Sequence, residues 1–327
     1  MCYKDELQNK NAENLRKRFE KDNAPYFLQR IFSNIGGGSK ATAITYWIAV
    51  RDLLQYAIDK KIINKDSIAE IEPEDMLEIE GPEVNEYLEY KENSGMSPTT
   101  LYTRKNIYKS FWEEMIATRK IPVEFNVIKK VSYQGIPYDP NNVLAKLPLN
   151  EDIEFMIEKI KWKKDDFIRE RNIVIMSLLM GTGIREAGLA GLDVADIFLE
   201  AEVPYFKVMM KGDLHKSTAR SVFLSENDTV EAMRHWMKIR STINNVIDKE
   251  AVFLNKNGKR MNEENIKSMF KTYSNRKITP HKIRHWYATT FAKKYGVQFV
   301  QQQLGHRSEK TTVNNYMDAR LSVLRGY

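Results

Sequence analysis

The stretch IVIMSLLMGTGIR, residues 173–185, decides how the rest of the sequence is read. Residues 173–180 are apolar except for Ser177, and a run that is apolar on every side belongs to a helix end buried in a core. It is far short of the roughly 20 residues needed to cross a bilayer. Gly181 and Gly183 then free the backbone for a tight turn that aims Arg185 out of this rigid core. A domain is therefore centred here, and the neighbouring segments are read around it.

Downstream, VPYFKVMM (203–210) and ARSVFL (219–224) alternate and are partly β-branched. They predict a β-hairpin with Gly212-Asp213 near its turn. Val252 to Leu254 reads as a short strand before an Asn257-Gly258 turn, and the rest is helical in pattern. Upstream, Asn150 is placed to cap a helix with Ile153, Phe155, Met156 and Ile160 as its apolar positions. Residues 132–149 hold three prolines and few helix signals, as an interdomain linker does. Before it, 25–131 reads as a small all-helical domain. Pro25 opens the segment YFLQRIFSNI, which stops at Gly36-Gly37-Gly38. Ser39 precedes a helix carrying Ile44, Trp47, Ile48, Leu54 and Ile58. Pro73 and Pro82 punctuate an acidic stretch before a helix with Val84, Tyr87 and Leu88. Ser97-Pro98 starts a helix with Leu101, Ile107, Tyr108, Phe111 and Ile116. Residues 1–24 are polar and mixed in charge, and are read as an N-terminal extension, a short helix or a frayed arm.

The chain of 327 residues suits two domains better than one. A single cysteine, Cys2, excludes a disulfide scaffold or a cysteine-rich zinc module and fits a reducing cytoplasm. The opening MCYKDELQNK is polar, without the apolar core of a signal peptide. A soluble, cytoplasmic protein is expected. The formal charge of +7 is unevenly spread. Residues 1–150 hold 21 basic and 22 acidic side chains, a balance of −1; residues 151–250 hold 15 and 18, or −3; residues 251–327 hold 15 and 4, or +11. A concentrated basic segment attracts a polyanion, nucleic acid above all. Residues 66–92 carry eleven acids and one lysine, and read as solvated surface facing away from any nucleic acid.

Five motifs bear on chemistry. Each has a bland reading: a surface arginine after a glycine turn, a solubilising hairpin lysine, a solvated histidine, a half-buried tyrosine. The first is Gly181-Thr182-Gly183-Ile184-Arg185. The second is Lys211-Gly212 on the hairpin, with Lys216 in the same turn competing for the same role. In the third, Thr279-Pro280-His281-Lys282-Ile283-Arg284-His285, Thr279 is placed as N-cap and Pro280 as the first helical residue. His281 and Arg284, three apart, then share a helix face near an N-terminus suited to phosphate. His281 and His285 also have the spacing of a metal pair. The glutamate that a zinc-protease signature requires is missing, and no cysteine lies nearby. The fourth is Leu304-Gly305-His306, where Gly305 ends a helix. The fifth is Tyr316, in a mostly polar run. A phosphodiester needs bidentate cationic donors on its non-bridging oxygens. A tyrosine hydroxyl supplies a nucleophile, and a lysine or histidine protonates the leaving 5′-hydroxyl. Two arginines, two histidines, a lysine and a tyrosine, without clustered carboxylates, describe phosphoryl transfer without metal; a two-metal nuclease would need paired acids.

The segments GTGIREAGLAGL, VMMKGDLHKSTARSVFLS, TPHKIRHWYATTFA and LGHRSEKTTVNNY, in this order, resemble the tyrosine recombinase family, which includes phage integrases and Xer-type recombinases. More weakly, GGGSKATAITYWIAVRDLLQYA and MSPTTLYTRKNIYKSFW look like the family's core-binding domain. The resemblance implies a mainly α fold with a small β-sheet, arranged as a two-domain DNA clamp. A helical, SAM-like core-binding domain spans 25–131 and a catalytic domain 150–327, with a C-terminal tail at 317–327. It further implies that Arg185 and Arg284 clamp the scissile phosphate and that Lys211 or Lys216 is the general acid. His281 assists acid–base chemistry, His306 bonds the phosphate, and Tyr316 attacks to form a 3′-phosphotyrosyl link. His285 matches a second histidine whose usual role is packing. The expected DNA-contacting cations are Lys40, Arg104, Lys105, Lys109, Lys216 and Lys282.

The implied activity is site-specific cutting and rejoining of duplex DNA at short inverted core sites by a homotetramer. No cofactor, metal, ATP or membrane is expected, and the tail docks on a neighbouring protomer. The alternatives are a nicking–closing enzyme of the type IB topoisomerase kind and a DNA-binding protein without catalysis. No arm-binding domain is expected before residue 25. The chain departs from the family pattern after Arg185: Glu186 follows directly, and Gly188 stands where the family usually has an acid. The interval from His306 to Tyr316 is one residue longer than the commonest.

Overall fold

Helix starts are written locally in this chain, and the computed structural model shows them in both of its units. It describes residues 3–35, 39–134, 147–209 and 219–305. The chain divides into two units, 1–138 and 139–327, and the division falls inside the stretch read as linker.

The first unit contains α1 (Tyr3–Lys21), α2 (Tyr26–Asn34), α3 (Lys40–Asp59), α4 (Gly81–Asn93) and α5 (Pro98–Ala117), with 3-10 turns between α3 and α4 and after α5. Ser39 Oγ accepts from the Thr42 N–H to start α3, and Ser97 Oγ accepts from the Thr100 N–H to start α5, each a side-chain cap on an otherwise orphan donor. α3 is the centre of this unit. Its Trp47, Val50, Leu53 and Leu54 are buried, and α1, α2 and α5 pack on it. The Phe32 ring lies edge-on to Trp47 at 5.4 Å and stacks on Phe111 at 5.6 Å. In the acidic stretch, Ile68, Ile71, Met76, Ile79, Val84, Tyr87 and Leu88 are buried, so 66–92 has a core-facing side beneath its charge.

Of the two readings of residues 1–24, the helix holds and the frayed arm does not. These residues are not an arm beside the domain: α1 packs along α3 and buries Leu15 and Phe19 in its core. The Trp47 indole donates to Asp22 Oδ2 at 2.8 Å, just past the helix end. Leu7, Leu15 and Phe19 fall on one helix face at multiples of four. That stripe is narrow, and the polar average around it hides it.

The second unit contains α6 (Asn150–Lys161), α7 (Asp166–Thr182), α8 (Glu186–Ala190), β1 (Ile197–Phe198), β2 (Tyr205–Val208), β3 (Arg220–Phe223), α9 (Asn227–Ser241), α10 (Glu263–Tyr273), α11 (Pro280–Tyr295) and α12 (Val297–Leu304). α7 carries the apolar run and is central: Val174, Ile175, Met176, Leu178 and Leu179 are buried, and α6, α9 and α11 pack against it. Asp165 caps it, accepting from the Ile168 N–H at 3.0 Å.

The predicted hairpin pairs β2 with β3, Tyr205 opposite Phe223 and Val208 opposite Arg220. Its Gly212-Asp213 turn lies outside the described residues. β1 adds a third antiparallel strand; two residues are too few to show alternation in a sequence. Val252–Leu254 forms no regular strand. The chain there makes only isolated bridges, Asp193 to Ala251 and Leu254 to Arg260.

Two expectations on α6 are also corrected. Leu149, not Asn150, is its N-cap, because the Asn150 side chain is engaged as an acceptor from the Trp286 indole N–H at 2.9 Å. Phe155 is not a core position: it is 47% exposed, with the Lys159 ammonium 4.6 Å from its ring centre. No helix among the described residues is long and apolar enough to cross a membrane.

Candidate active site

Three of the motifs meet in the second unit, and Arg284 is the residue that joins them. α11 begins as its sequence demands: Thr279 Oγ1 accepts from the Lys282 N–H at 3.2 Å, with Pro280 in the first turn. One turn in, Arg284 is buried. Its two terminal nitrogens donate to the Gly183 carbonyl at 2.7 Å and the Leu304 carbonyl at 2.9 Å. The first carbonyl belongs to the turn that delivers Arg185. The second closes α12, immediately before Gly305-His306. A planar guanidinium reaches the two carbonyls with two separate nitrogens in a fixed fork, where a lysine would have to reach both from one Nζ.

The Gly183 turn tolerates no side chain. Its φ is +60°, and a Cβ there would come within 2.3 Å of the Tyr287 ring and 2.8 Å of Leu304 Cδ2. The close approach is what brings α11 and α12 against the end of α7. Thr182 Oγ1 accepts from the Ile184 N–H at 3.3 Å and so holds the turn from within. Arg185 then stands at the N-cap of α8, half-buried, its carbonyl accepting from the Leu189 N–H at 2.9 Å. Burial weakens the guanidinium's hold on its proton, and the Glu186 carboxylate opposes that effect.

His281 and His285 lie one turn apart on α11, ring planes at 86° and Nε2 atoms 2.9 Å apart. Burial lowers the pKa of His281 from its ordinary 6.5; Glu186 opposes this, and Arg284 and Arg185 add to it. His285 is driven to about 4, first by burial, then by His281 and Arg284. Both rings are thus neutral at pH 7. Among the described residues no group of three or more His, Cys, Asp or Glu side chains could hold a metal ion.

Lys211, Lys216, His306 and Tyr316 lie outside the described residues. The elements flanking them are anchored to the site. The buried Gln303 accepts from the Phe223 N–H at 3.2 Å, tying α12 to β3 of the hairpin, and Gly305 ends α12 with φ +63°.

Glu186 is the residue that the sequence reading left without a part. It acts on both Arg185 and His281 and faces Lys267 of α10 at 4.0 Å. The departure from the family pattern was the available signal. At Gly188, where an acid was expected, a Cβ would approach Val208 Cγ2 of β2 to 2.9 Å. The carboxylate near Arg185 therefore comes from the start of α8 and not from its third residue.

The cations expected to meet DNA divide by their partners. Arg104 is largely buried, donating to Asp52 Oδ2 at 2.9 Å and to the Tyr87 hydroxyl. Lys105 donates to the carbonyls of Val131, at 3.0 Å, and Tyr133. Both hold the first unit together. Lys40 donates to the Ser33 carbonyl at 3.1 Å and Lys282 to the Lys277 carbonyl at 2.8 Å. Lys109 is 58% exposed, with only a long 3.9 Å approach to Glu113.

A mainly helical unit that converges two arginines and a neutral histidine is a frame for handling a phosphodiester. Residues 150–322 match the phage integrase family. Tyrosine recombinase XerC of Salmonella typhi is 28% identical over 224 residues, covering 67% of this chain and 69% of that protein. Among solved structures, XerH site-specific recombinase bound to difH substrate aligns over 91% of this chain and 83% of its own, with a TM-score of 0.63 and 19% identity. A lambda integrase dimer bound to a COC′ core site aligns over 94% and 95%, with a TM-score of 0.61 and 15% identity. The chain belongs to the phage integrase family, the tyrosine recombinases. It is an enzyme of DNA recombination, of the class that cleaves and rejoins strands.

Proposed function

We propose that this chain is a site-specific recombinase that works through a 3′-phosphotyrosyl intermediate on Tyr316. The observation that carries the reading is the double hydrogen bond of Arg284 to the Gly183 and Leu304 carbonyls. It holds the turn bearing Arg185, the helix face bearing His281 and the segment leading to His306 in one constellation.

In the reaction, Arg185 and Arg284 offset the charge of the non-bridging oxygens. The Tyr316 oxygen attacks phosphorus, and its proton passes to His281, which is neutral and able to accept it. The bond from phosphorus to the 5′-oxygen breaks, and Lys211 or Lys216 protonates the departing 5′-hydroxyl. His306 bonds the phosphoryl group. The phosphotyrosyl link conserves the bond, so the reverse attack by a 5′-hydroxyl needs no ATP and no metal. We assign core-binding to the first unit, with 1–24 included in it, and catalysis to the second, acting in the cytoplasm on duplex DNA with short inverted repeats. A homotetramer, with each tail after Tyr316 docking on a neighbour, performs the exchange.

The test is capture. Wild-type chain is incubated with a nicked duplex library of randomised sequence, denatured, and searched for protease-sensitive DNA adducts, which are then sequenced. Adducts sharing a bipartite motif are expected, and the Tyr316→Phe variant should bind the recovered DNA yet form none. Adducts without a common sequence would point to nicking–closing instead, and no adduct from wild type would end the proposal.

A further inference from the structure

We propose that His285 is a positioning residue that locks the tautomer of His281. The inference rests on the assignment of His281 to acid–base chemistry above. The Nε2 atoms of the two rings are 2.9 Å apart, and the rings meet edge to face at a centroid separation of 4.4 Å. A neutral imidazole has one N–H and one lone pair. Two neutral rings that meet Nε2 to Nε2 can bond only if one carries its proton on Nε2 and the other on Nδ1. The pairing therefore couples the two tautomers, and the arrangement we assign is the one a general base needs: His281 donates from Nε2, its Nδ1 is bare and able to take a proton, and His285 accepts on Nε2 with its own proton on Nδ1. Free imidazole would divide its time between the two forms, and a base in the wrong form must rearrange before it reacts.

The surroundings keep the pair neutral. Arg284 lies on the same helix, Arg185 comes from the adjoining turn, and both disfavour protonation of His281. Glu186, the one acid among the described residues that acts on His281, shares its charge with Lys267 of α10. His285 is half-buried and stays unprotonated through the physiological range. It can thus act as a fixed partner without adding a charge beside the phosphate clamp. Its ring could have served packing alone. A packing ring has no need to aim a nitrogen at hydrogen-bonding distance from its neighbour.

Two substitutions separate positioning from packing. His285→Phe keeps the ring bulk and removes the bond; His285→Gln loses the ring and keeps an amide that can donate or accept at a comparable reach. On DNA recovered by adduct capture, the rate of adduct formation should fall by about tenfold or more in His285→Phe, on the order of a misdirected general base. It should stay within about threefold of wild type in His285→Gln, at unchanged DNA affinity. A pure packing role reverses the order of the two variants and overturns the proposal.

A second readout needs no DNA. In protein labelled with 15N-histidine, the His281 ring of wild type should show one protonated and one bare nitrogen. In His285→Phe its two nitrogens should move toward exchange-averaged values. Averaged shifts already in wild type would overturn the lock. Absence of any wild-type adduct would instead overturn the functional reading, with the nitrogen spectra still deciding the bond.

Discussion

Arg284 shows how one side chain can be both scaffold and reagent. Burying a guanidinium is costly unless its donors are satisfied, and here two of them meet the carbonyls of Gly183 and Leu304. Replacing it with lysine keeps the charge but loses the fixed fork whose two nitrogens each meet one carbonyl, and leaves both acceptors to one flexible Nζ. An unsatisfied buried carbonyl costs about 1–3 kcal/mol. The Arg284→Lys variant should therefore lower Tm by several degrees and also lose adduct formation. Scanning calorimetry together with a capture gel reads both; an unchanged Tm would separate the scaffold role from the chemistry. The motif HKIRH pointed to this residue at once, but the sequence suggests only the phosphate role. The carbonyl pair comes from positions 101 and 20 residues away, a separation no local pattern encodes.

At the scale of elements, α8 concentrates what is unusual in this chain. Its five residues follow Arg185 at the N-cap and start with Glu186 in the first turn. Gly188 packs so closely on β2 that any side chain meets Val208. A substitution designed to restore the acid of the family pattern, Gly188→Glu, should thus fail. It overpacks the interface between α8 and the sheet, at a cost of typically about 1–3 kcal/mol, and displaces Arg185 with it. Thermal denaturation should show the loss, and adduct formation should fall; a variant as stable and active as wild type would mean that α8 can move away from the sheet. The hairpin and the buried helix were legible because alternation and a continuous apolar run are local signals. β1 and the irregular 251–254 segment were not, because their backbone partners lie elsewhere in the chain.

Across the whole molecule, charge and partner must be read together. The first unit has cations on α5, but Arg104 and Lys105 are committed to Asp52, Tyr87 and the carbonyls of residues 131 and 133. Only Lys109 of that set is largely exposed. Neutralising Lys109 should reduce the slope of log affinity against log salt by about one for each phosphate it no longer neutralises. Neutralising Lys105 should instead lower stability and leave the slope near its wild-type value. Filter binding across a salt series checks the first and thermal denaturation the second; a slope change confined to Lys105 would reverse the assignment.

The sequence alone determined the periodicities and caps. It set the buried run of α7, the start of α11 at Thr279-Pro280, the helical end at Gly305, and the order of the motifs that carry the chemistry. These follow from nearest neighbours, since capping and amphipathic spacing act within a turn or two. Tertiary structure decided the rest. It drew 1–24 into the first core through Leu15 and Phe19, tied Arg104 and Lys105 to partners within the first unit, brought Glu186 to act on His281, and turned two histidine nitrogens toward each other. Each of these depends on which face a side chain is given when distant segments pack, and the energy of that packing belongs to no single stretch of sequence.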